Sequence, residues 1–418
     1  MDGFLLDAFT FLVRWLHVVA AIAWIGESFY FVALDRGLKP AAQPSPGLFG
    51  ESWSVHGGGF YLKQKFMPAP AQLPDELHWS KWKAYTTWLS GFALLAVSYL
   101  WQAEIYLVDP GVYPMQADMA VAIVIALLLV GWVAYDLLCR LIGFRDLPLG
   151  LALGLLVAGL CLLSTSLFSG RAAFLLTGAV LATWMSANVF FVIIPGQKRI
   201  VRALGRGETP NPLDGLRGKQ RSVHNTYFTL PVVFAMLSTH YASAYAHPQN
   251  GWLLLLFLIA AALIRQFFVV WHSGSRAWGL LALGAALLVA ALAWMAPRAA
   301  PIAPQSVSPA AVADHSTPEP PTASNTSKTP RLAPDSAASL ANVQQIVQAR
   351  CLGCHASQGS LMPIPPKGLI LESADQIERA APLIYQQTVV LKVMPPGNLT
   401  QMQDEERELL GRWFEGRR

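Results

Sequence analysis

Through roughly its first three hundred residues the chain repeats one pattern, a block of about 20 nearly unbroken apolar positions followed by a polar connector. Eight such blocks are predicted, at 9–34, 83–102, 118–138, 147–163, 172–194, 223–241, 252–271 and 276–296. That length is what a helix needs to cross the hydrocarbon of a bilayer. The fourth block is short and suits a tilted helix or one partly buried among its neighbours. The first lacks a basic leader and a small-residue cleavage site, so a retained helix is expected there and not a removed signal peptide. The pattern then changes twice. Over 299–338 Pro, Ala, Ser and Thr dominate without apolar periodicity, a composition that cannot bury enough surface to fold. Such a tether would reach about 35 Å. After it come a helical stretch at 343–349, another at 374–391 and a short amphipathic helix at 404–413. The expected class is all-α: a polytopic eight-helix transmembrane bundle (1–298), a flexible linker (299–338) and a small C-terminal helical domain (339–418).

Composition agrees with a membrane chain. Hydrophobic residues make up 54% and charged residues 13%, with a mean hydropathy of +0.41; a soluble protein carries about a quarter charged residues. The basic residues also orient the bundle. Arg36, Lys39, Lys63, Lys65 and Lys81 lie between blocks one and two, Arg140 and Arg145 after block three, and Lys198, Arg199, Arg202, Arg206, Arg217, Lys219 and Arg221 between blocks five and six. The alternate connectors are nearly free of positive charge. Because Lys and Arg collect on the cytoplasmic side, an even helix count puts both termini outside, in the periplasm of a bacterial inner membrane. The pI near 9.0 follows from these inner connectors and carries no suggestion of nucleic acid.

The C-terminal domain holds the most specific motif, Cys351-Leu352-Gly353-Cys354-His355. C-x-x-C-H is the attachment signal of c-type haem. Two thiols one turn apart can add to the two vinyl groups along one porphyrin edge, and the adjacent histidine can ligate the iron. A zinc or thioredoxin-like C-x-x-C is the alternative, but no second cysteine pair completes a zinc site; Cys139 and Cys161 lie in apolar runs. Methionine is the usual sixth ligand where the potential is high. Met362 follows His355 closely, whereas Met394 sits in a proline-rich loop after the middle helix, so Met394 is expected to be the ligand. Helix, motif, middle helix, methionine loop and terminal helix together give the layout of a small class I-like cytochrome c with one covalent haem c.

Ionisable side chains inside membrane helices are costly and mark candidate sites. Arg14 and His17 share a face in the outer half of block one, and His240 reaches a similar depth on block six. The two imidazoles could clamp a haem b with Arg14 on a propionate, or could simply make interhelical hydrogen bonds. A second group lies in the inner half: Glu27, Asn188, His224, Asn225, Thr226, Arg265 and His272. Beside it runs the connector Trp53-Ser54-Val55-His56-Gly57-Gly58-Gly59-Phe60-Tyr61, whose three glycines let backbone approach a ligand closely. A flat, anionic, hydrogen-bonding molecule would suit these residues.

Arg14-Trp15-Leu16-His17, Trp24-Ile25-Gly26-Glu27, the Trp53–Tyr61 connector, Arg221-Ser222-Val223-His224-Asn225-Thr226-Tyr227 and Ser238-Thr239-His240-Tyr241 resemble the bacterial membrane-bound urate oxidases (urate hydroxylases). That family joins an eight-helix domain to a C-terminal cytochrome c. The resemblance implies oxidation of urate to 5-hydroxyisourate without hydrogen peroxide, with electrons leaving through cytochrome c to a terminal oxidase or a soluble cytochrome c. The residues themselves, and not the resemblance, suggest the roles: His56, His224 and Glu27 in catalysis, one of the histidines as base, with Gly57, Gly58, Gly59, Arg221, Asn225, Thr226 and Arg265 binding urate. A non-catalytic relay from quinol or a partner complex to a terminal oxidase is the alternative, as is a haem- or copper-handling membrane protein.

Overall fold

The computed structural model describes residues 3–67, 69–296, 339–362, 365–366 and 369–417. The linker expected at 299–338 lies outside the described residues. The rest is mostly helical. In chain order come α1 (Gly3–Gly37), a hairpin of β1 (Leu48–His56) and β2 (Gly59–Phe66), α2 (Trp82–Leu95), α3 (Ala103–Tyr106), α4 (Ala117–Ile142), α5 (Asp146–Leu167), α6 (Gly170–Ala187), α7 (Ile194–Gly205), α8 (Pro212–Leu237), α9 (Ala242–Tyr245), α10 (Asn250–Trp271) and α11 (Trp278–Met295). The C-terminal unit adds α12 (Leu340–Arg350), α13 (Leu352–His355), α14 (Ala374–Arg379), α15 (Ala381–Ile384) and α16 (Asp404–Glu415).

Among the described residues six helices are long and apolar enough to cross a membrane: Leu5–Gly37, Ala117–Ile142, Asp146–Leu167, Gly170–Gly205, Asn250–Trp271 and Trp278–Met295. The other two expected spans also form long helices, with physical reasons for falling short. The second is α2 running into a π-helical turn at Ala96–Leu100. The sixth is α8, whose first half is basic and polar and whose apolar half carries Pro231.

Helix α6 is the central pillar, buried along nearly its whole length and packed on α4, α5 and α8. Its Trp184 stacks on Tyr135 of α4 at 4.9 Å between centroids. Around this core the outer faces are strongly apolar: Phe11, Trp15 and Ile22 on α1, Leu129, Val133 and Leu141 on α4, and Leu147, Leu151 and Leu155 on α5 are all exposed. Soluble monomers rarely show apolar surface on this scale. It is what helices facing hydrocarbon present, and it is consistent with a membrane protein.

The hairpin was not expected. Trp53 pairs with Leu62, Val55 with Phe60 and His56 with Gly59. Gly57 and Gly58 form the two-residue turn with φ of +59° and +79°. Two positive φ values in succession make the primed turn that matches the twist of paired strands, and glycine is among the residues that adopt it readily. Two of the three glycines are therefore explained by chain reversal.

The C-terminal unit has its own core of Val343, Ile346, Val347, Leu371, Ile377, Ile384, Leu409, Leu410 and Trp413. The stretch expected to be one helix at 374–391 is divided: Pro382, which has no N–H to donate, opens α15, and a π-helical turn follows at Tyr385–Val390. Arg350 at the end of α12 forks onto both carboxylate oxygens of Glu406 on α16, at 3.1 and 3.0 Å, and donates to the Thr400 carbonyl at 2.6 Å. Both side chains of this pair are largely buried, so it ties the terminal helix to the segment before the motif.

Candidate functional sites

In the C-terminal unit α12 ends at Arg350 and the one-turn helix α13 carries Leu352 to His355, so the two cysteines and the histidine sit at one helix junction. His355 Nδ1 lies 2.9 Å from the Leu369 carbonyl, which can only accept. Nδ1 therefore carries a proton, so that in the neutral ring Nε2 is the nitrogen with the free lone pair. This is how ligating histidines are oriented, with the other ring nitrogen donating to a carbonyl. Burial pushes the Cys351 thiol up to about 12 and raises Cys354 as well. Redox-active C-x-x-C sites need the opposite shift, toward thiolate. Among the described residues no group of three or more His, Cys, Asp or Glu is placed to hold a metal ion.

The two methionines differ in how they are held. The Met394 and Val393 amides both donate to the Gln387 carbonyl, at 3.1 and 3.0 Å, and the buried Arg407 donates to the Met394 carbonyl at 2.9 Å and also to that of Thr388. Met362 instead turns toward the helical bundle, with its sulfur 3.8 Å from the Tyr106 hydroxyl on α3. Burial raises Tyr106 above the ordinary phenol range, so it meets the sulfur as a neutral donor. Gly397 rests on the same segment, where an added Cβ would lie 2.7 Å from the Val108 carbonyl. A cavity of about 400 Å³ between the two surfaces is lined by Glu104, Val108, Met115, Asp118, Gly397 and Leu399. The C-terminal unit thus sits on the connector between α2 and α4.

Within the bundle one polar cluster stands out, built by α4, α6 and α8. Arg221 on α8 donates through Nη2 to Asp136 on α4 at 2.6 Å, and its guanidinium lies 5.0 Å from the Tyr135 ring centroid. Asp136 also takes Arg140 at 2.6 Å. Tyr135 Oη is 2.8 Å from His224 Nδ1, and Cys139 Sγ is 3.8 Å from the same nitrogen. Asn188, fully buried at the end of α6, donates to Tyr135 Oη at 2.9 Å and to Asn225 Oδ1 at 2.8 Å. Asn225 in turn donates to the Met185 carbonyl at 3.0 Å. Two atoms of this buried cluster have no partner, Arg221 Nη1 and Asn188 Oδ1. Burying such atoms unpaired is costly, so they mark where a ligand could gain most.

The structure brings together Arg221, His224, Asn225 and Asn188, and it adds Tyr135 and Asp136. It separates the others. His56 and its glycines lie at the exposed hairpin tip, where nothing comes within 4 Å of a Cβ built on Gly57 or Gly58. They do not meet His224, because the hairpin is rooted on α1 through Lys65–Asp35 and through Lys63 over Tyr30. Glu27 is engaged by Lys83 at 2.7 Å and by Ser80. Arg265 is buried on α10 with its guanidinium 4.0 Å from the Phe29 ring centroid and with Nε and Nη2 unpartnered. The Thr226 hydroxyl is spent on the Ser222 carbonyl of its own helix.

His17 and His240 are not paired either. His17 rests on Gly91, with Nδ1 at 2.9 Å from the Thr87 carbonyl and 3.2 Å from Ser90 Oγ. His240 is exposed on a 3-10 turn that packs on α6 and α9, while α1 packs chiefly on α2. Arg14 is exposed. These positions do not make the haem b clamp expected from depth alone.

Long apolar helices around a buried arginine–tyrosine–histidine cluster, with a separate unit carrying C-x-x-C-H, define a helical protein whose apolar faces are consistent with a membrane. The family model described as urate oxidase N-terminal matches residues 3–296, and the chain belongs to that family. Membership points to an oxidoreductase with a urate-related function. No curated protein matches the chain, and no solved structure does.

Proposed function

We propose that this protein oxidises urate to 5-hydroxyisourate in the membrane and delivers the electrons to its own C-terminal cytochrome c unit. In balance, urate and one water give 5-hydroxyisourate, two protons and two electrons, so no hydrogen peroxide is formed. The observation that carries this reading is the coexistence of the family match over 3–296 with a C-x-x-C-H whose histidine presents a bare Nε2. Cys351 and Cys354 would hold a haem c, His355 and Met394 would be its axial ligands, and the group would supply one-electron transfer. Arg407 and Gln387 hold the Met394 backbone in place for that role.

We take the eight apolar blocks as spans, and the charge pattern orients them with the basic connectors inside and both termini outside. Contact of the C-terminal unit with the α2–α4 connector, an outer one in this topology, supports it. In the bundle, Arg221 and its neighbours on α4 and α6 are the candidate urate site. Urate is planar, anionic and rich in acceptors, which suits the unpartnered Nη1 of a guanidinium whose Nη2 is held by Asp136.

Membranes containing the protein should bleach urate absorbance anaerobically with ferricytochrome c as acceptor, reducing two equivalents per urate and releasing no peroxide. A non-catalytic relay would leave urate untouched. At the C-terminal unit, Met394→Ala should keep the covalent group yet lower its potential and remove the near-infrared sulfur-to-iron band. Survival of that band in Met394→Ala, with its loss in Met362→Ala, would reverse the assignment.

A further inference from the structure

We propose that a chain of hydrogen bonds from the Met185 carbonyl through Asn225, Asn188 and Tyr135 locks His224 in its Nε2–H tautomer. His224 then acts with Arg221 as a fixed pair of donors for the oxygen-rich edge of a planar anion. Because urate is taken as that anion, the binding half of the inference rests on the proposed function; the tautomer half does not.

The direction of the chain follows from its first member. The Met185 carbonyl can only accept, so the atom of Asn225 that faces it at 3.0 Å is the amide nitrogen. Asn225 Oδ1 must then point to Asn188, and the Asn188 atom 2.8 Å away must be a nitrogen. That NH₂ has two protons. One goes to Asn225 and the other to Tyr135 Oη at 2.9 Å. Tyr135 receives a hydrogen bond from Asn188, and its own proton has one partner on the other side, His224 Nδ1 at 2.8 Å. Nδ1 is thus an acceptor, and in the neutral ring the proton resides on Nε2. A proton on Nδ1 would face the Tyr135 hydroxyl and the Cys139 thiol, leaving the tyrosine's own proton without an acceptor.

The lock rests on buried parts. Asn188 and Tyr135 are fully buried, Asn225 nearly so, and Trp184 stacks on the tyrosine ring. Buried amide chains of this kind hold their direction because reversing one link would set two acceptors or two donors face to face. Arg221 precedes His224 by three residues, which places both on one side of α8. Its Nη1 is buried without a partner while Nη2 is held by Asp136. His224 Nε2 makes no hydrogen bond among the described residues. Two donors on one helix face, one charged and one neutral with its proton fixed, match a ligand edge that offers only acceptors. This alters the role expected of His224: in the resting state it gives a hydrogen bond and does not take a proton. Tyr135, Asn188 and Asn225 are positioning residues that act through it.

The test uses full-length protein labelled with ¹⁵N-histidine, in which the His224 signal is the one lost in His224→Gln. The expected wild-type spectrum has a protonated Nε2 and a bare Nδ1 at neutral pH. Tyr135→Phe should give a mixture of tautomers and weaken urate binding, measured by equilibrium dialysis of reduced protein, by about tenfold. His224→Gln, which keeps a donor near the Nε2 position, should bind urate about tenfold better than His224→Asn. A wild-type proton on Nδ1, or a Tyr135→Phe protein with the wild-type spectrum and affinity, would overturn the inference. If Tyr135→Phe does not fold, the wild-type spectrum still decides. Wild-type protein that shows the lock but binds no urate would remove the urate reading, while the tautomer assignment would stand.

Discussion

Replacing Cys351 and Cys354 together by alanine should leave no covalently attached haem on the chain, and urate-dependent electron delivery should cease. The loss is complete because each thioether needs its own thiol, and the other cysteines among the described residues, Cys139 and Cys161, are buried in the bundle. Haem staining after denaturing electrophoresis reads the outcome. Retained stain in the double variant would remove the cytochrome assignment. The helical bundle should still insert, since its core around α6 shares no residue with the core of the C-terminal unit.

The second large effect is expected at Arg221. Its guanidinium is 4% exposed and meets Asp136 at 2.6 Å beneath the Tyr135 ring. Arg221→Ala leaves Asp136 with Arg140 alone, and removing one member of a buried pair costs about 3 kcal/mol or more. It also removes the charged donor proposed for urate, so turnover should fall by about a hundredfold. Arg221→Lys separates the two effects. A lysine keeps the positive charge beside Asp136 and recovers most of the stability, but it lacks the planar fork and should recover little turnover. Thermal unfolding in detergent and urate turnover, measured on both variants, give the two readouts. Wild-type turnover in Arg221→Ala would take the substrate site away from this cluster.

Much of this was legible in the chain because membrane helices advertise themselves. Apolar blocks mark every long helix of the bundle, and Arg221, just before block six, and His224 and Asn225, within it, do join one cluster with α4 and α6. Tyr135 and Asp136 are not legible as site residues in the same way. A tyrosine in an apolar helix reads as an interfacial aromatic, and Asp136 was hidden by its proximity to Arg140 at the basic end of α4. The available signal was an acidic residue inside the inner half of a span, which membrane energetics seldom tolerates without a partner. The hairpin is illegible in the sequence for another reason. Positive φ at Gly57 and Gly58 serves either a tight turn or close ligand approach, and only the pairing of Trp53 with Leu62 decides between them. Depth along a helix likewise put His17 and His240 at one level, yet depth says nothing about which neighbour a helix face meets.

The most direct measurement is an anaerobic spectrum of the purified full-length protein before and after urate, with no other acceptor present. Urate alone should bring up the reduced c-type bands of the C-terminal unit, to the same extent as ascorbate, with 5-hydroxyisourate as the product. A C-terminal unit that ascorbate reduces and urate leaves oxidised would contradict the proposal that this chain joins urate oxidation to its own cytochrome.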